Sequence, residues 1–271
     1  MIHSIKHQTF FDYETTPNSI VQRLHLTPLD NAHQRVMEWD IVVDGGAIEM
    51  EAIDYHGNKV HLCGHHPDTK RIEIICRGKV CVTDTMGIAG THDLSLPLDL
   101  FKNNTALCSA GPRLRKLGKE MNALMPADTS GSLNILHELS KRILFNIRYL
   151  KGKTDISTTA EMAMEIGAGV CQDHVHAFIA VARFLGFSAR YVSGYLLMQG
   201  SKIQDASHAW AEVHINELGW VGFDISNGIS PNDCYVKLAT GFDYSDVIPL
   251  SGVRFGNGKE QIVTRIMISQ Q

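Results

Sequence analysis

Alternation dominates the first third of the chain. Apolar and β-branched residues recur in short runs at Thr9–Tyr13, Ser19–Leu26, Arg35–Val43, Ala47–Ile53, Lys59–Leu62, Arg71–Cys76 and Val80–Thr83. Asp44-Gly45-Gly46, His56-Gly57-Asn58 and Arg77-Gly78 separate them as turn signals. Short strands punctuated at this spacing predict an antiparallel β-sandwich. Residues 86–131 hold no clean period; Leu94-Ser95-Leu96-Pro97-Leu98 reads as an extended linker and Arg113–Leu124 as one short helix. The period then becomes helical. Leu133, Leu136, Ser140, Ile143, Leu144, Ile147 and Leu150 predict a helix over Ser132–Leu150. Thr158-x-x-Glu161 has capping-box form and opens a second short helix, which Gly167 stops. A third helix begins at Cys171, carries Val175, Phe178, Ile179, Ala182 and Leu185 at helical spacing, and ends at Gly186.

Strand patterns return at Ala189–Leu197, Ala209–Ile215, Trp220–Ile225, Val236–Leu238 and Ile262–Ile268. Helices first and strands afterwards make an α+β order rather than an alternating one. With 271 residues there is enough chain for two modest domains. The expected division is an N-terminal antiparallel β-sandwich over 1–90 and a second domain over 91–271.

Hydrophobic residues make up 44% and charged residues 20%, which fits a soluble globular protein rather than a disordered one. Net charge is −4 and the basic residues are scattered, so no stripe for nucleic acid is expected. Met1–His7 lacks the apolar stretch of a secretory signal, and no segment suits a membrane span. Six cysteines without a CxxC pair argue against a disulfide framework and for a reduced, cytoplasmic setting. The cluster His61, Cys63, His65 and His66 has metal-ligand residue types, but strand alternation and an adjacent His-Pro turn account for it. No second ligand pair follows, so no metal is expected.

The sharpest chemistry lies at Gly169-Val170-Cys171-Gln172-Asp173-His174. A glycine-led turn opens a helix with a thiol in its first turn, and Cys171 shares a face with Val175, Phe178 and Ala182. Neither Gly169 nor Val170 offers a capping oxygen, so the leading N–H groups await another acceptor. A helix N-terminus favours a thiolate and holds an oxyanion. A free cysteine is more often a small buried hydrophobe, so Cys171 needs partners to count as a nucleophile.

Those partners sit on a strand pair. In Ser207-His208-Ala209-Trp210-Ala211-Glu212-Val213, after a loop of small and charged residues, alternation puts His208, Trp210, Glu212 and His214 on one face. Trp220, Gly222 and Asp224 share a face of the next strand. A three-residue loop, Asn216-Glu217-Leu218, would pair Ile215 with Gly219 and Trp210 with Asp224. His208 is then diagonal to Asp224, about 7–8 Å away along the backbone and within side-chain reach. Taken singly, Asp224 could merely start the turn at Ser226-Asn227-Gly228, and Asp173 could merely meet the helix N-terminus. His174 and His176 could be solvated or could line the site. A cysteine at a helix start with His and Asp across a hairpin is far more specific than any one of them.

These blocks, with Arg190-Tyr191-Val192-Ser193-Gly194-Tyr195, resemble the bacterial transglutaminase-like cysteine protease family. Leu24-His25-Leu26-Thr27-Pro28 and Asp54-Tyr55-His56-Gly57-Asn58 resemble its N-terminal β-region. Tyr235-Val236-Lys237 through Gly241-Phe242-Asp243-Tyr244 resembles its C-terminal part. The resemblance implies a papain-like core and a Cys171–His208–Asp224 triad, with no departure at the three motifs. The expected activity is that of a cysteine hydrolase, a peptidase or amidase working through a thioester on a peptide or protein substrate without metal or organic cofactor. Amine transfer by the same triad, giving cross-links, is the alternative. A non-catalytic peptide-binding or scaffolding module is the reading from another class.

Overall fold

In β1 (Ile2–Tyr13) every second side chain turns inward, from His3 through Ile5, His7, Thr9 and Phe11 to Tyr13. The strand starts well ahead of the expected Thr9 because three of its inward positions are polar, which hides the alternation. His3 donates from Nε2 to the Asp233 carbonyl at 2.6 Å, and His7 Nδ1 meets the Tyr195 hydroxyl at 2.8 Å. Their polarity is satisfied across the fold rather than by water. The computed structural model describes residues 1–93, 96–125, 131–198, 203–204 and 206–270.

Five strands follow β1 in the N-terminal part: β2 (Ser19–Thr27), β3 (Gln34–Asp44), β4 (Gly46–Ile53), β5 (Lys59–His65) and β6 (Arg71–Val82). The core comprises β7 (Ile88–Gly90), α1 (Pro112–Asn122), α2 (Ser132–Asn146), β8 (Arg148–Tyr149), α3 (Ala160–Ile166), β9 (Ala168–Gly169) and α4 (Cys171–Phe184). It continues with β10 (Ala189–Leu196), β11 (Ile203–Gln204), β12 (His208–Ile215), β13 (Gly219–Phe223) and β14 (Tyr235–Gly241). The chain closes with β15 (Leu250–Phe255) and β16 (Glu260–Gln270). Sheets run β11-β16-β1-β6-β3 and β15-β2-β5-β4 in the sandwich and β14-β10-β12-β13-β7 in the core, with β8 beside β9 as a short parallel pair. The α+β architecture, N-terminal sheets followed by a helix-and-sheet core, is the expected one.

Strand pairing divides the chain differently from 1–90 and 91–271. Ile88–Gly90 pairs with β13 and so joins the core sheet, while β15 pairs with β2 and β16 with β1. The C-terminal strands thus complete both sheets of the sandwich. An edge of unpaired N–H and C=O groups on β1 and β2 would otherwise stand open.

Three local expectations also change. Arg77-Gly78 is not a turn, since β6 runs through it; a Cβ at Gly78 would overlap the Glu38 carbonyl and Trp39 of β3, at a bulge. The helix expected to reach Leu150 stops at Asn146, and Arg148 and Leu150 instead donate to the carbonyls of Gly167 and Gly169. The capping residue of α3 is Thr159, whose hydroxyl accepts from Met162 N–H at 3.3 Å. Glu161 turns away from its own helix and accepts from the N–H groups of Arg113 and Leu114, capping α1. The linker read at 94–98 begins outside the described residues, and Leu98–Lys102 forms a 3₁₀ turn.

α4 carries the core. Val175, Phe178, Ile179 and Ala182 pack with Ala209, Ala211 and Val213 of β12 and with Leu136, Leu139 and Ile143 of α2, all buried. The sandwich docks on the outer edge of β14 through two carboxamides. Gln34 accepts from Lys237 N–H and donates to its carbonyl, at 2.8 and 2.9 Å, and Asn58 does the same with Thr240, at 2.8 Å each. Each side chain imitates a neighbouring strand, so an edge that would face water is paired.

Candidate active site

The start of α4 is built by what precedes it. Gly169 must lack a Cβ because one would overlap the Asp173 side chain. That closeness lets Asp173 accept from Val170 N–H and from the Thr154 hydroxyl, both at 2.7 Å. Asp173 thus meets the helix N-terminus as its simplest sequence reading has it, accepting from the N–H just ahead of the helix. Burial pushes its carboxyl up, against these hydrogen bonds. The N–H groups of the first helical turn, Cys171 among them, have no acceptor within the helix and face its N-terminal end.

His174 and His176, left open by the sequence, are both fully buried. His174 donates from Nε2 to the Ile147 carbonyl at 2.7 Å, and its Nδ1 accepts from the Ser226 hydroxyl at 2.8 Å. It ties the helix start to the segment after α2 and to the turn after Asp224. Burial lowers its pKa, so it serves as a neutral strut. His176 accepts from Tyr244 N–H at 3.3 Å and packs 5.4 Å from the Tyr191 ring; burial lowers it to about 4.

The β12–β13 hairpin has the register expected of a three-residue loop. Ile215 pairs with Gly219 and Ala211 with Phe223, with Glu217 in the left-handed region at φ 72°. His208 and Asp224 therefore share a face and meet, with His208 Nε2 2.6 Å from Asp224 Oδ2. The other ring nitrogen is left for the thiol, and Cys171 lies near enough to the ring to raise the imidazole's pKa. Burial pushes the imidazole down, but hydrogen bonds to Asp224 and Cys171 and the charges of both raise it to about 10. The structure thus brings Cys171, His208 and Asp224 together, with His208 hydrogen-bonded to Asp224.

Asp224 is fully buried yet held below the ordinary carboxylate range. Burial works against ionisation, and three donors on Oδ2 outweigh it: His208 Nε2, Asn227 Nδ2 at 2.7 Å and the Tyr235 hydroxyl at 2.7 Å. Asn227 N–H also reaches Oδ1 at 3.2 Å, so Asp224 starts the turn at Ser226-Asn227-Gly228 as well as holding His208. Sequence reasoning missed Asn227 and Tyr235 as Asp224 partners. Asn227 was visible as a turn residue; Tyr235 lies on a different strand, and no spacing rule reaches it. Tyr149, Tyr191 and Tyr244, all close enough to Cys171 for its charge to bear on their phenols, were missed for the same reason.

The His61–His66 cluster is divided, with His61 and Cys63 buried, His65 half-buried and His66 exposed. Cys63 is fully buried with its thiol pushed up by burial to about 11, and His61 pairs with Glu51 at 3.4 Å. Among the described residues no helix is long and apolar enough to cross a membrane.

Comparison with known proteins bears on the whole chain. Residues 116–225 match the transglutaminase-like superfamily core, and residues 3–81 match the bacterial transglutaminase-like N-terminal region. An uncharacterised protein of Mycobacterium tuberculosis is 33% identical, over 96% of this chain and 90% of that protein. One from Mycobacterium leprae is 25% identical over 98% of both. A crystal structure from Cytophaga hutchinsonii, provisionally described as a cysteine protease, superposes with a TM-score of 0.79. It is 21% identical and covers 99% of this chain and 90% of that one. The likeness to it is one of fold.

Proposed function

Since the chain belongs to the transglutaminase-like superfamily, with the bacterial N-terminal region ahead of the core, we propose that it is a cysteine hydrolase of peptide or amide bonds. Cys171 is the nucleophile, His208 the base and acid, and Asp224 the group that orients His208. The observation that carries this reading is the meeting of Cys171, at a helix N-terminus, with a His208 whose Nε2 lies 2.6 Å from Asp224 Oδ2.

In the proposed reaction His208 holds the thiol proton as an imidazolium, stabilised by Asp224, and the Cys171 thiolate attacks the carbonyl carbon. The oxyanion of the tetrahedral intermediate is met by the Cys171 N–H at the helix start. His208 returns its proton to the leaving nitrogen as the C–N bond breaks, which leaves a thioester on Cys171. Water, deprotonated by His208, then attacks the thioester and releases the acid and the thiol. An amine in place of water would form a new amide by the same steps.

The test is covalent trapping of the full-length protein by a thiol-reactive peptide ketone, with the modified residue located by peptide mass spectrometry. Selective modification of Cys171, lost in His208→Ala, is expected. A folded protein whose Cys171 reacts no faster than its other thiols would mean a binding module instead. With a peptide-amide substrate, product partitioning between water and added amine separates hydrolysis from transfer.

A further inference from the structure

Between the sandwich and the core lies a cavity of about 220 Å³ beside Ser207 and Tyr244. Ser207 immediately precedes His208, and the Tyr244 ring lies 6.0 Å from that of Tyr191, in the same apolar core against which Cys171 packs. The facing wall belongs to the sandwich: His7 and Thr9 of β1, Leu250 of β15 and Thr264 of β16. The volume falls below the roughly 300–1,000 Å³ of whole-ligand pockets and suits one side chain. Among the described residues lining it, none is acidic and none is a lysine or arginine. His7 is uncharged at neutral pH, since burial lowers it to about 4.

The hydrogen bonds along this wall have a direction. The Tyr195 hydroxyl is buried with His7 Nδ1 as its partner at 2.8 Å, so it must donate or leave its proton orphaned. His7 then carries its proton on Nε2 and donates to Thr9 Oγ1 at 3.2 Å. Thr9 in turn donates to Thr264 Oγ1, its cross-strand partner, at 3.2 Å. The Thr264 hydroxyl proton, at the end of the series, is left for a group within the cavity.

We propose that this cavity is a substrate subsite which the N-terminal sandwich builds onto the Cys171 centre, and that it takes an uncharged side chain presenting a hydrogen-bond acceptor to Thr264. The assignment rests on Cys171 being the nucleophile. An ionised side chain entering the cavity would shed water and find no opposite charge among the described lining residues, whereas a carboxamide would find a waiting donor.

The experiment uses peptide chloromethyl ketones carrying Asn, Leu, Glu or Lys at each of the two residues nearest the reactive carbonyl, on the full-length protein. The second-order rate of Cys171 modification is read by mass spectrometry. At one of the two positions Asn and Leu should react at least about ten-fold faster than Glu and Lys, with Asn the fastest. Thr264→Val keeps shape and β-branching; it should slow the Asn probe about five-fold and leave the Leu probe unchanged. Thr264→Lys should bring the Glu probe up to the wild-type Asn rate. Equal rates for all four side chains at both positions, or a Thr264→Val loss shared by every probe, would overturn the subsite alone. A folded protein whose Cys171 takes neither these probes nor iodoacetamide would overturn the nucleophile reading itself.

Discussion

Two buried carboxylates stand on the same face of the core sheet, and they are held in opposite ways. Glu212 of β12 is locked between fixed cations: Arg190 Nε and Nη2 at 2.8 and 2.6 Å, and the Lys237 ammonium. Arg190 lies over the Trp220 ring, 4.1 Å from its centre. Asp224, across the hairpin, meets an imidazole and two neutral donors. The first arrangement surrounds the carboxylate with cations that hold it ionised well below the ordinary carboxylate range, against its burial. The second includes a partner that can accept and release a proton, and that partner is also the one touching Cys171. One carboxylate holds three strands together, and in the proposed reaction the other steadies a moving proton.

The comparison breaks most sharply if the two carboxylates prove interchangeable. Glu212→Ala leaves two buried cations without a counter-charge and should cost about 3–5 kcal/mol of stability, read from urea unfolding. His208→Ala removes a cation from a buried carboxylate. In addition it should slow Cys171 modification by a peptide ketone roughly 10²–10⁴-fold, a loss that folded Glu212→Ala should not share. If folded Glu212→Ala slows Cys171 modification as much as His208→Ala does, the lock-and-relay distinction is wrong.

Much of this distinction was legible from the sequence, and what was not has a common cause. Period two placed His208, Glu212 and Asp224 on one face, and an odd loop length fixed their diagonal meeting. Both follow from local geometry. The stop of α2 at Asn146 was not legible, because it results from pairing with Gly167 and Gly169, far along the chain. Tyr235 on Asp224, Glu161 on α1, and Gln34 and Asn58 on β14 are likewise side chains serving elements they do not belong to. The return of β15 and β16 to the sandwich is the largest case. β16 was readable as a strand, but nothing local assigns its partner. A chain starting near Pro97 would strand both segments without their neighbours.

Acid and base should pull the two centres apart. Glu212 is held near pKa 2, as its ion pairs outweigh burial, so its contribution is complete above its unfolded value of about 4.5 and is lost as pH falls toward 2. His208 is raised to about 10, so its contribution is complete below about 6.5 and is lost as pH climbs through 10. Urea unfolding at stepped pH should therefore show a decline between 6.5 and 10 that His208→Ala flattens, while the acid limb is unchanged. A wild-type protein equally stable at pH 7 and pH 10 would contradict the raised His208.

The smallest expected effect concerns Tyr235. Its phenol is pushed up by burial and by the Asp224 charge, so it stays a donor at any working pH. Tyr235→Phe removes one of three donors from Asp224 Oδ2, and the carboxyl should drift up toward its ordinary value. Asn227 and His208 still hold the oxygen, and His208 gains a less contested acceptor. Cys171 alkylation by iodoacetamide at pH 6 should then fall by no more than about three-fold, less than 1 kcal/mol of barrier. At that pH Cys63 and Cys108, pushed up by burial to about 11 and about 12, supply an unreactive background. The acid limb of the alkylation profile should move slightly upward, because a carboxylate easier to protonate releases its hold on the imidazolium sooner. A Tyr235→Phe loss as large as that of His208→Ala would make the tyrosine a member of the relay rather than its support, and Asp224 would no longer differ from Glu212 in needing every partner it has.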